Sequence, residues 1–83
     1  MMTANHCEHR QHLITAQLLE YPGLPTPWAG GCSITTPDGR QTRRLTLPRE
    51  SAFLAELDSA RRASLAHGKW LVDQSLDQGK PLF

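Results

Sequence analysis

Residues 48–78 read PRESAFLAELDSARRASLAHGKWLVDQSLDQ, and the reading of this stretch decides the fold. Pro48 suits the first position of a helix, where its missing N–H costs nothing, and Glu50 follows in the first turn, where the helix dipole favours a carboxylate. Stepping about 100° per residue from Phe53 gathers Phe53, Leu54, Leu57, Ala60, Leu65, Leu71, Val72 and Leu76 into one arc of roughly 160°. The phase carries through Gly68, whereas a helix broken there is free to restart in another phase. One long helix over 49–78 is therefore expected, bent at most at Gly68 and stopped by Gly79 and Pro81, with 79–83 as a C-terminal tail.

Upstream of this stretch the period changes from helical to two. Residues 12–21, HLITAQLLEY, put Ile14, Ala16 and Leu18 on one side and Thr15 and Gln17 on the other, the pattern of a half-buried strand. Pro22, Pro25 and Pro27 then forbid helix interior and central strand alike, so 22–27 is a loop. In residues 28–36, Trp28, Cys32 and Ile34 alternate with Ala29, Gly31, Ser33 and Thr35, and the Gly30-Gly31 pair marks a bulge or a close backbone approach. Pro37-Asp38-Gly39 is a turn, and residues 41–47 form a third strand with Thr42, Arg44 and Thr46 opposite Arg43, Leu45 and Leu47.

The expected fold is α+β: a three-stranded antiparallel β-meander followed by one long C-terminal helix packed on one sheet face (βββα), a single domain over 12–78. Ile34 and Leu45 are expected to meet the helix through Phe53 and Leu57. Residues 1–11 show no period and read as a flexible lead-in. The layout resembles that of short bacterial proteins in which a strand meander precedes one helix ending in a glycine, a basic residue, Trp, two hydrophobic residues and Asp. Here that run is Gly68, Lys69, Trp70, Leu71, Val72 and Asp73. The resemblance brings no activity with it.

Composition narrows the function classes. Leu, Ile, Val and Phe number 17 of 83 residues, near the roughly 20% level below which chains stay disordered, but the net charge is only +1. A small, marginally stable domain follows. Nine Lys and Arg against eight Asp and Glu leave no basic excess of the kind that holds nucleic acid nonspecifically. No apolar run suits a signal peptide or a membrane-spanning helix, and two cysteines are too few for a disulfide framework. A cytoplasmic protein with free thiols is expected.

The residues that chemistry would need are sparse. His6, Cys7, His9 and His12 are zinc-type ligands, and Cys7, His9 and His12 with Cys32 are the best set the chain offers, but no second ligand pair lies downstream. No bound metal and no cofactor are expected. Cys32 and His67 supply a thiol and a base, yet Cys32 shares a strand face with Ile34 and reads as a core thiol. Gly68-Lys69 and Gly79-Lys80 lack the other glycine and the hydroxyl residue of a phosphate loop. The chain reads as non-catalytic.

Two surfaces remain. Arg44, flanked by Arg40 and Arg43, lies on the open face of the third strand, which is one way for a sheet to enter a nucleic-acid groove. A helix over 49–78 spans about 45 Å against roughly 25–30 Å of strand, so its end overhangs and leaves Leu71, Val72 and Leu76 without cover. Trp70 falls at about 260°, outside the apolar arc and beside Ala63, Ala66 and His67. The expected function is that of a small interaction or regulatory protein, a possible homodimer, that uses Trp70, Leu71, Val72 and Leu76. Nucleic-acid binding through Arg40, Arg43 and Arg44 is the alternative.

Overall fold

The structure is a computed structural model that describes residues 5–83. It is α+β, with antiparallel sheets and one long C-terminal helix, but the strands are more numerous than a three-stranded meander. In chain order they are β1 (His6–His9), β2 (His12–Ala16), β3 (Leu19–Glu20), β4 (Trp28–Ala29), β5 (Gly31–Thr35) and β6 (Leu45–Thr46). A 3₁₀ turn (Arg49–Ser51), β7 (Phe53–Leu54) and α1 (Leu57–Gln78) follow. The strands make a four-stranded sheet ordered β1-β2-β5-β6 and a three-stranded sheet ordered β3-β4-β7.

The two sheets are successive stretches of one hairpin. Pairing runs in a single register from Leu13 opposite Thr35 to Glu20 opposite Trp28, interrupted where Gln17 and Leu18 face Gly31 and Gly30. At that interruption the Gly30 N–H donates to Ala52 O at 2.8 Å instead of to the neighbouring strand. Here the expectation of a close backbone approach is met: a side chain at Gly30 would run into Leu47 and Ser64. The alternation expected for residues 12–21 holds only at its start, where exposed Leu13 lies between buried His12 and Ile14; Thr15, Ala16, Gln17 and Leu18 are all half-buried, since both faces of the hairpin are covered there.

Three expectations are corrected. Within the expected flexible segment 1–11, residues 6–9 form β1, which pairs with β2 from His6 opposite Thr15 to His9 opposite His12; residues 1–4 lie outside the described residues. The two-residue turn places Arg10 (φ 51°) and Gln11 (φ 68°) in the left-handed region that a tight hairpin demands. Glycine and asparagine usually signal such a turn, and neither is present. Arg10 instead ties the turn to the helix, reaching Asp73 at 3.1 Å and Asp77 at 3.0 Å, while His9 Nε2 lies 2.8 Å from Asp73 Oδ1. The His9 contact first, then Arg10, holds the Asp73 carboxyl below the ordinary carboxylate range.

The second correction concerns residues 41–47. Cys32 pairs with Leu45 but Thr35 bridges to Gln41, so one extra residue is accommodated on the later strand. This bulge turns Thr42 inward. Its hydroxyl accepts the Ile34 N–H at 3.0 Å and donates to Arg43 O at 2.7 Å, which makes Thr42 a buried part of the ladder and not an open-face residue. The third correction concerns the helix, which begins at Leu57 and not at residue 49. Phe53 and Leu54 pair with Ala29 and Trp28 instead. The unpaired edge of β4 needs hydrogen-bond partners, and that need overrides the helix propensity of residues 50–56.

The core is Ile14, Cys32, Ile34, Leu65 and Val72, with Cys7, Ala16, Leu45, Leu71 and Leu82 packed around it. Phe53 and Leu57, expected in this core, are 50% and 51% exposed. The helix is continuous through Gly68, where it lies close against the sheet: an added Cβ would sit within 3.0 Å of Ile14 Cγ2. One turn earlier, buried Ser64 accepts the Gly31 N–H at 3.0 Å and donates to Ala60 O at 2.7 Å, sewing the helix to β5. Gly79 (φ 71°) ends the helix, its N–H turning back to Ser75 O. Among the described residues no helix is long and apolar enough to cross a membrane.

Candidate functional site

The expected overhang does not exist, and this reshapes the interaction surface. At 22 residues α1 is about 33 Å long, and β1 widens the sheet beneath its C-terminal half. Val72 is therefore fully buried in the protein's own core and Leu71 is half-buried against it. Of the four residues expected to be uncovered, Trp70 (54% exposed) and Leu76 (47%) remain outside.

Trp70 is held in place. One helical turn back, the His67 ring lies 5.7 Å away between centroids and 16° from parallel, a stacked pair that limits the rotamers of the indole. Burial pushes the His67 imidazole below its ordinary pKa, which favours the neutral ring in the stack. Ala63 and Ala66 flank the pair with little bulk. An exposed aromatic stacked on its neighbour beside small side chains presents a flat surface, and each rotamer already restricted lowers the ordering cost of contact.

The three arginines of the alternative surface are divided among different tasks. The Arg44 guanidinium donates to three backbone carbonyls, Gln17 O at 2.8 Å, Gly30 O at 2.9 Å and Ala29 O at 3.2 Å, across the gap between the two sheets. It serves carbonyls left over by the interruption of the hairpin. Arg40 pairs with Asp38 at 3.2 Å and lies over the Phe83 ring. Arg43 alone is exposed with its charge free for a partner among the described residues.

The N-terminal cysteine and histidines are spread apart in role. Cys7 packs against the core, His9 meets Asp73, and His12 is buried with its Nδ1–H donating to Arg10 O at 2.9 Å. Among the described residues no three His, Cys, Asp or Glu side chains are gathered to hold a metal ion. The thiols differ in environment: burial pushes Cys32 up to about 11, while Cys7 is half-exposed. One thiol per folded chain is expected to react promptly with a disulfide reagent near about pH 8, the second only after unfolding. Two prompt equivalents would show that Cys32 is not enclosed as described.

Exposed apolar residues outside the helix went unread in the sequence. Exposed Leu19 and Phe53 lie in one cross-strand row of the three-stranded sheet with buried Ala29 between them, and Tyr21 lies 5.8 Å from Phe53 between ring centroids. The signal that hid this row was the helical phase assigned to Phe53. Comparison with family models, with curated proteins and with solved structures found no match.

Proposed function

We propose that the chain works by binding and not by catalysis, and that it self-associates through the outer face of α1 around Trp70 and Leu76. The observation that carries this reading is the exposed Trp70 ring braced by His67, because a pre-ordered tryptophan is the side chain most often found at the energetic centre of an interface. Three buried or half-buried polar side chains have structural employment: Ser64 joins helix to sheet, Thr42 fills the bulge, and Arg44 serves three carbonyls. The free thiols Cys7 and Cys32 fit a reducing, cytoplasmic setting.

Sedimentation at micromolar concentration tests the reading. The parent is expected as a dimer, with Trp70→Ala weakening association by about 2 kcal/mol, roughly 30-fold, and Leu76→Ala by less. In a Trp28→Phe background, Trp70 emission should shift to shorter wavelength as concentration rises. A parent that stays monomeric with a fully water-exposed Trp70 throughout removes the self-association.

A further inference from the structure

β6 is an edge of the four-stranded sheet, and among the described residues its outer side carries no strand. Beside it lie two hollows of about 290 Å³ each, which share Arg43, Leu45 and Leu82. One reaches His67 and Leu71 on α1, and the other reaches Phe83. Leu82 packs against the core between them, so the chain's own tail already lays one leucine into the groove. Beyond Lys80, whose N–H returns to Gln74 O, the tail is in no strand or helix.

The tail places Leu82 in the groove but brings no acidic side chain to it. It brings a cation, Lys80, next to Pro81, whereas the groove walls carry Arg43 and Arg44 and no acidic residue. Arg44 is committed to carbonyls, so Arg43 is the charge on offer. An exposed strand edge beside an apolar groove is a common way to take up an extended peptide, main chain along the edge and alternate side chains in the groove.

We propose that the groove between β6 and α1 docks an extended acidic peptide segment of another protein, with a leucine in the place of Leu82 and a carboxylate on Arg43. The tail is then a weak internal occupant that the acidic segment displaces. Neither Trp70 nor Leu76 lines the groove, although His67, which stacks on Trp70, does; the peptide is read at Arg43 and Leu82, on the far side of the groove from that stack, so its failure and that of the self-association are told apart.

Fluorescence anisotropy on the full chain tests it with two labelled peptides, Asp-Glu-Pro-Leu-Phe amide and Lys-Lys-Pro-Leu-Phe amide. The acidic peptide is expected to bind saturably and about tenfold more tightly than the basic one, with the preference shrinking as salt rises. Leu82→Ser should tighten acidic-peptide binding by vacating the groove. Arg43→Glu, an exposed substitution that leaves the core untouched, should weaken it about tenfold. Equal binding of the two peptides, no saturable binding to the parent, or unchanged affinity in Arg43→Glu would overturn the proposal.

Discussion

Replacing Gly68 with alanine is expected to destabilise the protein by about 2 kcal/mol or more, even though alanine is the better helix former. The propensity gain is about 1 kcal/mol for an interior helical position. Against it stands the contact with Ile14: an added Cβ would lie within 3.0 Å of Ile14 Cγ2 and 3.3 Å from Cys32 Sγ, and carbon atoms prefer about 3.5–4.0 Å. Ile14 is fully buried in the sheet and cannot turn aside without disturbing its neighbours. The helix must therefore lift, which loosens Leu65 and Val72 and strains the Ser64 bond to Gly31, and overpacking of this kind costs about 1–3 kcal/mol before such losses. Urea unfolding should show the loss, and Gly68→Val should leave the chain largely unfolded. Gly68→Ala combined with Ile14→Ala should be less damaging than the sum of the two, since the second change removes the methyl that the first one meets. An alanine variant as stable as the parent would mean that the helix does not approach the sheet this closely.

Ile34→Ala is expected to cost about 3–4 kcal/mol, while Phe53→Ala, which deletes a larger side chain, should cost less than about 1 kcal/mol. Burial decides the order. Ile34 is fully enclosed between Ile14 on the neighbouring strand and the helix, so truncation leaves a cavity that its surroundings cannot close. Phe53 is 50% exposed on the outer row of the three-stranded sheet, and water replaces much of what is removed. A domain of this size has about 4–12 kcal/mol of total stability, so the Ile34 variant should be partly unfolded at growth temperature. Thermal unfolding of the two variants side by side checks the order, and equal losses would place Phe53 back in the core.

The sequence by itself determined the α+β class of the fold, with its long C-terminal helix, and some of its local pieces. Period-two alternation put Ile14, Cys32 and Ile34 on one sheet face, Pro37-Asp38-Gly39 marked the turn, and the helical phase from Ala60 to Val72 marked the buried stripe of α1. Each of these rests on residues close together in the chain, where side-chain spacing and backbone preference agree. It also singled out Trp70 as the aromatic left outside the helix arc.

Only the tertiary structure decided where those pieces start and what they cover. Phe53 and Leu54 fit the helical phase well, but the unpaired edge of β4 claims them as a strand, and backbone hydrogen bonding outweighs a few tenths of a kcal/mol of propensity per residue. The Arg10-Gln11 turn carries no local signal, because its strained geometry is held by Asp73 and Asp77, more than sixty residues away in the chain. With that turn formed, β1 extends the sheet under the end of α1, and Val72 becomes core instead of interface. The bulge at Thr42 likewise answers to the Ile34 N–H across the ladder, and the recruitment of Arg44 answers to carbonyls released where one hairpin bends into two sheets. These are long-range demands of unsatisfied backbone groups, and no reading of neighbouring residues can supply them.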